Sequence, residues 1–461
     1  MRLPLLLLAA APVHLVAQAP ASRTPTAFVG VTVLPMTGVT AIANQTVIVR
    51  DGRIAQMGDA GRLAVPSDAI AIAARGKFLM PGLAEMHAHI PGANAPQQLI
   101  RDIMFLYVAN GITTIRGMLG APNQLELRRQ TAAGDVLGPT IFVGAPSLNG
   151  TSAPNPETAA RLVREHKAAG YDFLKLHPGL TRPVYDAIVA TSRDVGITYG
   201  GHVSSDVGIR HTLASAQSTV DHIDAYLEEA IGSANGNLGI NAGAVRALGA
   251  ADSARMHSLA VATREAGTWV VPTEYLWENF FAPRAPEDFM KLPEMRYVPQ
   301  SMRNGWINQK RQFDQGVRAA NLTAEEVMRF VAARRLMLRE LGREGNRVLM
   351  GTDSPQMMNV PGFALGHEIR VMHDAGLTNH QVLESGTRNV SRYVEQYIKG
   401  DARFGTVEVG QRADLVLLDG NPLDDLANLE RRSGVMVRGW WVPADEIRRG
   451  LDAMAARNAA P

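Results

Sequence analysis

Between residues 81 and 399 the chain alternates short apolar runs with segments of helical length, and this alternation constrains the fold more than any other feature. The runs are GLAEMHAHI, GITTIRGM, PTIFVGA, YDFLKLH, GITYGGHV, STVDHID, TWVVPTE and NRVLMGTDS. Parallel strands need a crossover of a dozen or more residues, usually a helix, so strands spaced this way belong to a parallel arrangement. Eight such units predict an α/β fold, a (β/α)8 TIM-like barrel over 81–399. Residues 155–169 and 324–341 read as two of its helices. The first opens on Asn155-Pro156-Glu157, a capping side chain followed by proline at the first helical position. Residues 275–320 are rich in Trp, Phe, Met and Pro, fit no strand-helix unit, and are expected to form a lid or pocket wall, or else a dimerisation insert.

The flanks read differently. FVGVTVLPM, QTVIVRDGRIAQMG and AIAIAARGKFLM precede the barrel, with a hairpin signal at Asp51-Gly52. GTVEVGQRADLVLLDGNP and SGVMVRGWWV follow it. Two β pieces around an α/β middle predict one small β-sandwich domain assembled from both chain ends, residues 20–80 and 400–445, with 446–461 a C-terminal helix or tail. Residues 1–19 combine Arg2, an apolar run and small residues up to Ala17 and Ala19, the pattern of a cleavable signal peptide, so export to the periplasm or medium is expected. That run is shorter than the roughly 20 residues of a permanent anchor, and no later segment reaches it, so no membrane anchor is expected.

Composition narrows the function classes. A chain of 461 residues with 46% hydrophobic and 20% charged residues can bury a large core. Its formal charge of +2 comes without a lysine- or arginine-rich block, which argues against nucleic acid as a partner. There is no cysteine, so a metal site here must be built from His, Lys, Asp or Glu. A homo-oligomer is expected, with no sequence feature that sets the number of subunits.

The chemistry-bearing residues cluster at the ends of the apolar runs. In GLAEMHAHI, His87 and His89 stand two apart, so on a strand both face one side and can approach one cation. Lys175, His202, His222 and Asp353 close the fourth, fifth, sixth and eighth runs. Barrel enzymes build their sites from strand C-termini, so these six residues are expected to converge on metal. His177, two residues past Lys175, is a candidate substrate contact, with a rim hydrogen bond as the alternative. His367 after the eighth run and Arg116 at the end of the second are further candidates; for Arg116 the alternative is an internal salt bridge. His166, His211, His257, His373 and His380 read as surface groups.

From PGLAEMHAHI through GITTIRG, FLKLHPGL, GGHV, DHIDAYLEE and GTDSP to GTVEVGQRADLVLLDGNPLDD, the chain resembles the amidohydrolase superfamily. Within it the likeness is to the branch of imidazolonepropionase-related metal-dependent peptidases and prolidases that includes ochratoxin-degrading hydrolases. Gly117, where that family often has an acidic residue, and the 275–320 segment depart from the pattern. The resemblance implies two Zn2+ ions, with Mn2+ or Co2+ as substitutes: His87, His89 and Asp353 on the buried one, His202 and His222 on the exposed one, and carboxylated Lys175 as the bridge. It implies an activated water that attacks a small-molecule amide or peptide, with Asp353 as the catalytic general acid/base. Tyr226 in HIDAYLEE matches a tyrosine that the family associates with the substrate's terminal carboxylate. The function expected is hydrolysis of a linear amide, a dipeptide or N-acyl amino acid. The rivals are a hydrolase of cyclic amides or lactones and a non-catalytic exported binding protein.

Overall fold

The Asp51-Gly52 signal does form a hairpin. In the computed structural model, which describes residues 24–232, 245 and 253–459, both residues have positive φ, 51° and 74°, between the paired Arg50 and Arg53. This is the turn whose twist matches that of its strands. The expected signal peptide lies outside the described residues.

Five strands come from the N-terminal part: β1 (Thr26–Val33), β2 (Ile42–Arg50), β3 (Arg53–Asp59), β4 (Ile70–Ala73) and β5 (Phe78–Pro81). Seven follow: β6 (Leu83–Ala88), β7 (Ile112–Gly117), β8 (Thr140–Val143), β9 (Phe173–Leu176), β10 (Thr198–Gly201), β11 (Thr219–Asp221) and β12 (Trp269–Val271). The last three are β13 (Leu415–Leu418), β14 (Arg432–Val437) and β15 (Trp440–Pro443), before a final helix, Ala444–Ala459.

The two chain ends make one mixed sheet in the order β15-β14-β13-β5-β1-β2-β3, with β4 also on β1. The Phe28 ring on β1 meets Trp441 on β15 at 5.2 Å although three strands lie between them, while hydrogen bonding joins all eight strands into a single sheet. The reason lies in β1, whose first half pairs with β4 and whose last residues pair with β5. Irregularities between Val29, Val31 and Val33 carry it from one neighbour to the other. Phe28, Val47, Leu79, Leu415 and Met436 form a core shared by both ends. Two hairpin tips from opposite ends also touch, since a Cβ on Gly439 would lie 2.7 Å from the Cα of Gly52. Both tips are glycines with positive φ, so no side chain intervenes.

The middle forms two parallel sheets, β6-β7-β8 and β9-β10-β11-β12. Isolated parallel bridges, Gly144 to Phe173 and Leu148 to Leu176, link β8's continuation to β9. The eighth apolar run forms no continuous strand, but it lies between β12 and β6 through the parallel bridges Val270–Val348 and Ala88–Ser354 and through main-chain hydrogen bonds from Leu349 N–H to Val270, from Met86 N–H to Met350 and from Asp353 N–H to His87, each 2.8 Å. A buried side chain interrupts the ladder at one position. Thr352 gives its N–H (2.8 Å) and its hydroxyl (2.6 Å) to the Glu85 carboxylate, so that N–H is lost to a ladder. Helices pack outside through a large core that includes Met104, Ile188, Leu259 and Leu338. No helix among the described residues is long and apolar enough to cross a membrane.

Candidate metal centre

Alternation on β6 places Glu85, His87 and, just past its end, His89 on one face. Glu85 is fully buried and accepts from the N–H groups of His87 (2.9 Å) and Thr352. It thereby ties the strand carrying the histidines to the segment carrying Asp353. Burial pushes its carboxyl up to about 8 against the pull of those hydrogen bonds.

Asp353 Oδ1 lies 2.6 Å from His89 Nε2 and 3.6 Å from His87 Nε2, and Asp353 Oδ2 is 3.8 Å from His222 Nε2. Lys175, wholly buried, puts Nζ 3.4 Å from His87 Nε2. The His202 ring sits 4.6 Å from that of His222. All six sequence candidates therefore stand together, and His87, His89 and Asp353 among the described residues have ligand atoms close enough to share one ion.

The donor set fits a divalent cation. Asp353 Oδ1 is buried and makes no hydrogen bond of ordinary geometry, although an imidazole nitrogen is 2.6 Å away. An inward carboxylate oxygen facing imidazoles, with no proton well placed between them, is what a metal completes. Burial lowers His87 to about 4, with Lys175 adding to the effect, so its imidazole is neutral and able to ligate at neutral pH. Burial alone would raise Asp353, but the His87 and His89 rings hold it well below the usual carboxylate range.

Supporting groups fix the rings. His202 Nδ1 donates to Asp224 (2.7 Å), which turns the Nε2 lone pair outward, and His222 Nδ1 shares a 2.7 Å hydrogen bond with Thr273 Oγ1. Asp221 lies 3.1 Å from His87 Nδ1 and 3.4 Å from Lys175 Nζ. Sequence reasoning missed Glu85, Asp221, Asp224 and Thr273. The first three had a signal: carboxylates standing inside apolar runs one or two residues from a histidine. Thr273 had none.

The substrate candidates fare less uniformly. His177 is at the centre: its ring stacks on His202 at 4.9 Å, its Nδ1 shares a 2.7 Å hydrogen bond with Ser147, and it lines a cavity with Asn149, Thr151 and Gly179. Arg116 is corrected to its alternative. Its guanidinium is wholly buried and donates to Asp221 (3.1 Å), Thr219, Tyr393 and the Met86 carbonyl, so it braces the strand interior. Tyr226 is likewise corrected: it is wholly buried and its hydroxyl shares a 2.6 Å hydrogen bond with Thr263, because the short helix Tyr226–Ala230 turns it onto the helix Ser253–Ala266. His367 is held by Glu294 and Arg370, each at 2.7 Å, and lines a separate cavity of about 700 Å³ that none of the six ligand candidates touches. The 275–320 segment forms helices and brings Trp277 edge-on to His222, 6.3 Å between centroids.

Residues 78–442 match the model of the amidohydrolase family. This chain belongs to that family. An amidohydrolase hydrolyses amide-type carbon-nitrogen bonds, and members are generally metal-dependent. The adenine deaminase of Paracoccus denitrificans (strain Pd 1222) is 29% identical over 204 residues, 39% of this chain and 32% of the deaminase. The aligned part thus spans about a third of that relative. Among solved structures, a protein of Bifidobacterium longum assigned as a prolidase aligns with a TM-score of 0.64 at 24% identity, covering 95% of this amidohydrolase and 99% of that chain. The bottromycin amidohydrolase aligns with a TM-score of 0.69 at 22% identity, covering 95% and 91%. At these identities the two likenesses speak for the fold.

Proposed function

We propose that this amidohydrolase cleaves a linear amide, a dipeptide or N-acyl amino acid, at a centre of two zinc ions. The observation that carries the reading is the bare Asp353 oxygen set against His87 and His89, with buried Lys175 beside them. His87, His89 and Asp353 would hold one ion and His202 and His222 the other, and Lys175, once its amine has added carbon dioxide and lost a proton, would serve as a carbamate ligand of negative charge. Bound divalent metal supplies a Lewis acid for the carbonyl and a water acidified toward neutrality. The protein's own part is proton handling and positioning. Asp353 receives the proton of the attacking water and passes it to the leaving nitrogen, which leaves poorly unless protonated. Gln356 Nε2 donates to Asp353 Oδ2 at 2.6 Å and restrains the carboxylate for both transfers. His177, stacked on His202 and anchored by Ser147, is placed to contact substrate at the mouth.

The bridges at Phe173, Leu176, Val348 and Ser354 support a closed (β/α)8 ring around this centre. The leader-like residues 1–19 support export. Purified protein, reconstituted with zinc, manganese or cobalt, should carry close to two ions per chain and turn over members of dipeptide and N-acyl amino acid libraries. Protein that holds no metal and gains no activity on adding it would overturn the reading. Activity confined to cyclic amides or lactones would replace the substrate class.

A further inference from the structure

His222 is held in an unusual pose. It and Ile223 both have left-handed backbone, φ 63° and 55°, a region that residues with side chains rarely occupy without external support. The support is visible. The His222 N–H donates to the Val271 carbonyl (2.8 Å), Nδ1 is engaged by Thr273, and the His222 carbonyl accepts 2.7 Å from Arg334 Nη2. With these three groups engaged, Nε2 is presented toward Asp353.

Arg334 comes from the helix Ala324–Arg343, outside the strands, and is 4% exposed. Its Nη2 and Nε also donate to the two oxygens of buried Glu274 at 2.6 and 3.0 Å, and its guanidinium lies 4.5 Å over the Trp277 ring. The paired, planar fork cannot swing away from the His222 carbonyl without breaking both bonds to Glu274. Glu274 is anchored in turn, since Glu368 accepts its N–H (3.0 Å) and that of Tyr275 (2.7 Å).

We propose that Arg334 is a positioning residue that holds His222 in its ligating pose, and so sets the affinity of the more exposed metal position. The inference rests on the two-metal reading above. Arg334 touches neither substrate nor ion; it acts through the His222 main chain.

The test is a Co2+ titration of the full-length metal-free protein, followed by visible absorption, with thermal unfolding measured alongside. Wild type should saturate in two steps. Arg334→Met should weaken the second step by about 10- to 100-fold, the usual effect of losing a support behind a metal ligand, and leave the first unchanged. It also strands the Glu274 charge and lowers the melting temperature. In the double variant Arg334→Met/Glu274→Met no buried charge is left alone, so the melting temperature should recover while the second step stays weak. Arg334→Lys, which can still reach the carbonyl, should restore part of the affinity. A double variant with two wild-type steps would show that the ion pair serves stability alone and overturn the proposal. Wild type that takes up no Co2+, or one ion only, overturns the two-metal reading and the proposal with it.

Discussion

Asp353 carries two duties on one carboxylate, ligation and proton transfer. Asp353→Asn keeps the shape and removes the basicity, so kcat should fall by about 10²- to 10⁴-fold, roughly 3 to 5 kcal/mol of barrier, in a protein whose circular dichroism is unchanged. Near-normal turnover would show that another group moves the proton. Arg116 and Asp221 make a wholly buried pair beneath the ligands. Arg116→Met removes the guanidinium that pairs with Asp221 and leaves that buried carboxylate only His87 and Lys175, so urea unfolding should show a loss of about 3 to 5 kcal/mol. Tyr226→Phe should cost only about 1 kcal/mol, because Thr263 keeps its bond to the Leu259 carbonyl, and should not distinguish substrates with free and amidated C-termini. A selective loss on the free carboxylate would reinstate Tyr226 as a reader of substrate. The six ligand candidates were legible because each ends an apolar run, a position that a parallel fold turns toward one face. The side chains that aim them were not, since Arg334 reaches His222 across 112 residues and Thr273 across 51. Nothing in one sequence ties such pairs together.

Elements were readable where local chemistry decides them. Asn155 caps its helix by accepting from Thr158 N–H, as the Asn-Pro-Glu start indicated. Helix Ala324–Arg343 opens on a reciprocal capping box between Thr323 and Glu326. Since that helix delivers Arg334, Thr323→Ala should lower stability by about 1 kcal/mol in thermal unfolding, with the Co2+ steps unmoved because the cap is three turns from Arg334. The eighth run, NRVLMGTDS, pairs with both β12 and β6 as its composition indicated, but Glu85, 267 residues earlier, takes the Thr352 N–H and interrupts the ladder there. Likewise the β pieces were legible as strands, whereas their joining into one sheet depends on β1 changing partners midway.

At the scale of the molecule, metal bound only to the folded state adds stability by mass action, about 2.7 kcal/mol per site at a hundredfold excess over its dissociation constant. Chelation should therefore lower the melting temperature reversibly, with zinc restoring it; a melting curve indifferent to chelator would argue against an ion tied to folding. The sheet shared by the two ends has a different consequence, which concerns how the protein is made. Strand β5 waits for β13, whose Leu415 pairs with Pro81 across roughly 330 residues of intervening chain. At the pace of translation that wait lasts on the order of tens of seconds. Throughout it the β5 edge, its main-chain hydrogen-bonding groups unmet, is open to any passing strand. The nascent chain thus emerges with its adhesive edge first and its own cover last, and a ribosome halted before Leu415 should yield a product that aggregates unless a chaperone holds it.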